Sequence, residues 1–130
     1  MTGNAAAGAL ILVVEDNPAN QDLIQFTLES DGYQVEVVGS AHEARLSIER
    51  RRPRLILMDI QLPGQDGLSF TRELKADPGL QLIPIVAMTA HAMAGDRELS
   101  LAAGCSGYIT KPINTRTIGD ELECFLGARN

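Results

Sequence analysis

Asp59 closes the apolar run Leu55-Ile56-Leu57-Met58, and Glu15 and Asp16 follow Leu10-Ile11-Leu12-Val13-Val14. Thr89 follows Ile85-Val86-Ala87-Met88, and Lys111 lies just past Tyr108-Ile109. Three carboxylates, a hydroxyl and an ammonium thus occupy one kind of position, the carboxyl end of an apolar run. Short, continuously apolar runs are expected of strands buried on both faces of a parallel sheet. Ligands of such sheets bind in the crevice beyond the carboxyl ends of the strands. These residue types, gathered there, make a site for a divalent cation and a phosphoryl group. Mg²⁺ suits the donors, because it takes oxygen ligands, few carboxylates, retained waters and substrate phosphate. At an effective dielectric of about 20, unit charges about 4 Å apart interact by about 4 kcal/mol. Three carboxylates, one ammonium and one divalent ion carry no net formal charge, so an incoming phosphoryl group meets a neutralised pocket.

The rest of the chain alternates strand-like and helix-like segments. Leu10–Val14 leads to a helix from about Pro18 to Ser30, with Pro18 in its first turn and Gly32 as its stop. Leu23, Phe26 and Leu28, with Ile24 beside them, are its expected buried stripe. Gln34–Val38 reads as a second strand. Ser40 and Glu43 form a capping box that opens a helix with Ala44, Leu46 and Ile48 inward. Pro53 ends that helix before the third strand, Leu55–Asp59. The turn formers from Leu62 to Gly67 precede a helix over about Leu68 to Ala76, which carries Leu68, Phe70 and Leu74 and stops before Pro78. Ile83–Met88 is expected as the fourth strand, with Pro84 tolerated near its start. A helix from roughly Ala92 to Ala103 ends at Gly104, and Gly107–Ile109 is a short fifth strand. Asn114 is placed to cap a last helix burying Ile118, Leu122 and Phe125. Five βα units with right-handed crossovers put helices on both faces of one parallel sheet, an α/β doubly wound architecture.

Size and charge narrow the functions. A chain of 130 residues makes one domain, with an expected flexible tail over residues 1–8, a folded unit over 9–127 and a short end over 128–130. A formal net charge of −6 argues against nucleic acid as a partner. The cluster Arg50-Arg51-Arg52-Pro53-Arg54 falls at a helix C-terminus, where cations are favoured. Cys105 and Cys124 have no CxxC spacing, which fits reduced thiols in a cytoplasmic protein. The apolar stretch Ala5–Val14 is too short to span a membrane and lacks a basic leader.

Glu15-Asp16, Asp59, Thr89-Ala90 and Lys111-Pro112, in this order at successive strand ends, resemble the receiver domain of bacterial two-component response regulators. The likeness runs from about Leu10 to Leu126. It implies a flavodoxin-like (βα)5 three-layer sandwich with strand order 2-1-3-4-5. It also implies that Asp59 is the nucleophile taking a phosphoryl group from a phosphohistidine, as carboxylates do in aspartyl-phosphate enzymes. By the same likeness Asp16 and Asp59 ligate Mg²⁺ directly, Glu15 acts through a water, and Gln61 offers its backbone carbonyl. Lys111 and Thr89 then bind phosphoryl oxygens. Tyr108 stands where the family carries a switch aromatic that follows Thr89, and the peptide before Pro112 is where the family has a cis bond. Gln61 and His91 are candidates for tuning the lifetime of the phosphoryl group.

The implied function is a phosphorylation-driven signalling switch, not an enzyme with turnover. Its partners are a histidine kinase or histidine phosphotransfer protein, and a target read on the face of the fourth helix, fifth strand and fifth helix. No nucleic acid or membrane is expected. A receiver excised from a hybrid histidine kinase shares all of this chemistry. An aspartate-nucleophile phosphatase is the rival of another class, but such enzymes place a second acid two residues after the nucleophile. Here that residue is Gln61. A flavodoxin-like electron carrier lacks support in a chain without a Ser/Thr-rich phosphate loop or Trp.

Overall fold

The computed structural model describes residues 8–62, 64–90 and 94–127, and His91 and both chain ends lie outside them. The apolar runs become β1 (Leu10–Val14), β3 (Leu55–Asp59) and β4 (Ile85–Thr89), and every residue in these three strands is buried. Strands β2 (Gln34–Val38) and β5 (Gly107–Thr110) have mixed burial, as edges do. The sheet is parallel with order β2-β1-β3-β4-β5. From β1 the chain winds outward to β2, then returns past β1 to β3. The winding therefore reverses between β1 and β3, which opens the crevice there.

Helices α1 (Pro18–Ser30) and α5 (Ile118–Gly127) cover one face, and α2 (Ala41–Arg50) and α3 (Gly67–Ala76) cover the other. Helix α4 (Ala94–Ala103) lies beside α3 and β5. One core layer joins Ile11, Val13, Leu55 and Leu57 to Ile24, Leu28, Ile118 and Leu122. The second joins Leu12, Val14, Ile56 and Met58 to Ala44, Ile48, Phe70 and Leu74. Alternate residues of each central strand feed opposite layers. Each fully buried aliphatic side chain contributes about 1.5–3 kcal/mol.

The helix starts are built from side-chain caps. Asn17 Oδ1 accepts from Asn20 N at 3.1 Å, Ser40 Oγ from Glu43 N at 3.2 Å, and Asp66 Oδ1 from Ser69 N at 2.9 Å. Asn17 therefore caps α1, and Asp16 is left available for other work. Helix α3 starts at Gly67, one residue before its sequence-based start, because Asp66 is the cap. Asn114 caps a turn ahead of α5, accepting from Arg116 N at 3.0 Å. Gly32, with φ 98°, turns the chain out of α1.

Several inward-facing expectations are corrected. In α1, Leu23 and Phe26 are 41% and 72% exposed, while Ile24, Thr27 and Leu28 are buried. The helix is rotated so that residues 24, 27 and 28 face the sheet, the i, i+3, i+4 relation of a single stripe. Thr27 can lie inside because its hydroxyl donates to Leu23 O at 2.7 Å. In α2, Leu46 is 45% exposed and Ser47 is buried in its stead. In α5, Leu126 completes the buried stripe and Phe125 is only partly covered. Strand β4 begins at Ile85, after Pro84, which has no N–H for the ladder but still accepts from Ile56 N at 3.0 Å. Strand β5 extends one residue beyond expectation, to Thr110.

Candidate functional site

Register sets the positions of the acids. Val14 pairs with Met58, so Glu15 and Asp59 both stand one step past that rung, on either side of the crevice. Glu15 is fully buried. Its N–H extends the ladder to Val38 O at 3.0 Å, its Oε2 accepts from Asn17 N at 3.1 Å, and its carbonyl accepts from Gln21 Nε2 at 2.6 Å. Asp16 is exposed at the rim and Asp59 is buried. The three acids can each bring a carboxylate oxygen to within 4.8 Å of the others.

Lys111 joins the cluster from the far side. Its Nζ lies 2.8 Å from Glu15 Oε1 and 2.9 Å from Asp59 Oδ2. Its backbone N–H donates to Thr89 O at 2.7 Å, tying the end of β5 to the end of β4. The Lys111–Pro112 peptide is cis. The other Asp59 oxygen, Oδ1, accepts from Gln61 N at 2.8 Å.

The electrostatics are uneven. Burial raises the Asp59 pKa above its ordinary value, and the Glu15 charge adds to that rise. The Gln61 N–H and the Lys111 ammonium recover only part of it. For Lys111, burial pulls the pKa down, yet the hydrogen bonds and charges of Glu15 and Asp59 outweigh burial and raise it. Lys111 is therefore a firm cation shared between two buried acids. Glu15 Oε1 is buried and, among the described residues, receives no hydrogen bond of good geometry and is met by the Lys111 ion pair. An all-oxygen donor set with an under-satisfied buried carboxylate fits a hard divalent cation.

The remaining sequence candidates fall around this centre. Thr89 ends β4, buried, opposite Thr110 on β5. Tyr108 is half-buried, opposite Ala87, two rungs away, and packs against the core layer of α2 and α3. Gln61 is exposed beside Asp59, joined to it through its N–H. His91 lies outside the described residues.

Sequence reasoning passed over three positioning residues. Asn17 and Gln21 hold the Glu15 side chain and backbone. Gly67 packs on the Asp59 backbone, where a Cβ would stand 2.3 Å from Asp59 O. The Asp66-Gly67 pair was legible as a turn former, but not as the reason the chain after Asp59 can close so tightly.

This fold with this cluster at its switch point is that of a phosphorylation receiver. Residues 11–123 match the family described as the response regulator receiver domain, and the chain belongs to that family. Among its relatives is the polar-differentiation response regulator DivK of Brucella anthropi, 41% identical over 117 residues, covering 90% of this chain and 95% of that one. The receiver domain of a sensor histidine kinase from Pseudomonas aeruginosa, solved with a magnesium ion coordinated in its active-site cleft, is 45% identical. It covers 93% of this chain and 99% of that one with a TM-score of 0.84. The BeF3-activated receiver domain of RstA from Klebsiella pneumoniae is 34% identical with a TM-score of 0.83, covering 90% and 97%. Among the described residues no helix is long and apolar enough to cross a membrane.

Proposed function

We propose that Asp59 is the phosphoacceptor of this receiver and that its phosphorylation depends on Mg²⁺. The observation that carries this is the Lys111 ammonium held 2.8 Å from Glu15 and 2.9 Å from Asp59, with Asp16 at the rim. A carboxylate oxygen of Asp59 attacks the phosphorus of a phosphohistidine. The P–N bond breaks and the imidazole leaves with the electron pair. Asp16 and Asp59, with Glu15 through a water and the Gln61 carbonyl, would hold Mg²⁺. The ion, when bound, supplies charge neutralisation at the phosphoryl oxygens. Lys111 supplies the fixed positive charge, and Thr89 the hydroxyl, that answer the phosphoryl group. Catalysis here is positioning and charge stabilisation. Gln61, and His91 two residues after Thr89 in the sequence, are proposed to tune the phosphoryl lifetime.

The donor is a histidine kinase or histidine phosphotransfer protein, and the compartment is the cytoplasm. The receiver match over residues 11–123 favours a signalling switch over an aspartate-nucleophile phosphatase. Thr89 and Tyr108 are the proposed switch pair, and the face of α4, β5 and α5 is the proposed output surface. Short, edge-placed β5 with Gly104, Ser106 and Gly107 around it favours that face as the part of the sheet that shifts. A population shift there needs phosphoryl contacts that differ by a few kcal/mol between two states. The experiment is incubation with Mg²⁺ and purified phosphohistidine donors. Wild type should take hydroxylamine-sensitive label and Asp59→Asn none; undiminished label on the variant overturns the assignment. Amide shifts with beryllium fluoride should cluster from about Thr89 to Asn114, and shifts confined to α1 and α2 would move the output elsewhere.

A further inference from the structure

Five of the eleven Lys and Arg residues lie in one stretch: Arg45, Arg50, Arg51, Arg52 and Arg54. The fold uses three of them. Arg45 pairs with Glu73, Arg50 pairs with Glu36 at 2.6 Å, and Arg51 donates to Gln34 at 3.0 Å. Arg52 and Arg54 are exposed, and although Arg54 N donates to Leu10 O at 2.8 Å, neither guanidinium group has a hydrogen bond or ion pair among the described residues. Both border a cleft with Pro53, Leu82 and Ile83 that no acidic side chain lines among the described residues, while Arg52 also borders a neighbouring cleft with Glu49 and Asp77.

Leu82 is 71% exposed, and the chain around it is fixed rather than loose. Leu80 N and Gln81 N both donate to Asp77 O at 2.9 Å, and Ile83 N donates to Leu80 O at 3.1 Å. Lys75 Nζ clamps the carbonyls on either side of Leu82, at 2.9 Å from Gln81 O and 2.8 Å from Ile83 O. A half-buried ammonium thus holds the backbone around an apolar side chain that faces water, in the cleft that the two unpaired guanidinium groups border.

We infer that the Arg52-Pro53-Arg54 and Leu82 cleft docks an acidic, leucine-rich segment of a partner protein, independently of phosphorylation. The guanidinium groups offer planar forks that match carboxylates, and Leu82 with the buried Pro53 and Ile83 offers an apolar floor between them. Nucleic acid fits less well. A polyanion would meet the chain's net charge of −6, whereas a short peptide senses only charges within a Debye length of about 10 Å. Phosphates also leave Leu82 uncovered. Independence from phosphorylation follows from position. The cleft lies at the amino ends of β3 and β4, and Asp59 lies at the carboxyl end of β3, roughly 13 Å along the strand.

The test uses the full ¹⁵N-labelled chain and four probes: peptides alternating Glu with Leu, Glu with Ser, and Lys with Leu, and a single-stranded oligothymidylate. The Glu/Leu peptide should shift the amides of Arg52, Arg54, Leu82 and Ile83 with a dissociation constant of about 1 mM or tighter. The shifts should be the same with and without Mg²⁺ and beryllium fluoride. The double variant Arg52→Glu, Arg54→Glu should weaken binding at least about tenfold and Leu82→Ser about threefold, with other amides unmoved, showing that both still fold. Several results overturn the inference: no shifts at about 1 mM, shifts centred elsewhere, wild-type binding by the charge-reversed chain, or dependence on beryllium fluoride. Equal shifts from the Glu/Ser peptide, the Lys/Leu peptide or the oligonucleotide also overturn it, since they mark unselective binding.

Discussion

Gly67 lies against the Asp59 backbone so closely that a Cβ would stand 2.3 Å from Asp59 O and 2.7 Å from Ile60 Cα. The first helical residue of α3 therefore abuts the residue that ends β3, and Gly67 N donates back to Ile60 O at 3.1 Å. Gly67→Ala should cost about 1–3 kcal/mol through overpacking, because the contact is backbone and cannot turn away. Denaturant unfolding measures the loss. A variant as stable as wild type would show that the segment after Asp59 can relax.

Asp59 should weigh against the metal-free fold. Its folded pKa is raised above 3.8, chiefly by burial. Between the two pKa values the folded state binds more protons than the unfolded state, so stability falls as pH rises through that window. Above the raised folded value the penalty is fully present. Asp59→Asn should therefore be more stable than wild type in chelator, and the gap should close as pH is lowered towards 3.8. Thermal melts across pH test this; a gap of constant size, or one of the opposite sign, contradicts the account.

Lys111 is shared by two buried acids, and its folded pKa is raised by Glu15 and Asp59 against the effect of burial. Its stabilising contribution is complete below the unfolded lysine pKa and is lost as pH climbs through the higher folded value. Breaking a buried pair costs about 3–5 kcal/mol, and the partial exposure of Lys111 lowers the expected cost of Lys111→Met to about 1–3 kcal/mol. Mg²⁺ should restore part of that loss, since it would answer the same acids. Phosphate uptake should persist while phosphorylation-dependent partner binding fails. Unchanged stability in chelator would show that the ion pair contributes little.

Phe125 covers Gly107 on β5, where a Cβ would meet the ring at 2.4 Å. Gly107→Ala should destabilise by about 1–2 kcal/mol. Because the obstacle is a half-buried side chain, Phe125→Leu should recover much of the loss when combined with it. A double-mutant cycle reads the coupling, and additive effects would mean that the ring moves aside at no cost.

The sequence was informative where a property is local or repeats along one element. Unbroken apolar runs marked β1, β3 and β4 as central strands, and polar residues at their carboxyl ends marked the crevice. Ser40, Pro18 and Gly32 act over one helical turn, and the structure keeps each in its expected place. The order of Glu15-Asp16, Asp59, Thr89 and Lys111 was enough to place the chain in its family. Helix rotation was different. The 3.6-residue period admits neighbouring stripes, and only the sheet's surface chose Thr27 over Phe26 and Ser47 over Leu46. Contacts between distant segments were also beyond reach. Lys111 and Asp59 are 52 residues apart, and their 2.9 Å contact depends on β4 standing between β3 and β5. The same holds for Gly67 against Asp59, and for the division of the arginines into three that brace the fold and two that face water. Sequence specifies which groups are present and their local geometry; packing of the elements determines which of them touch.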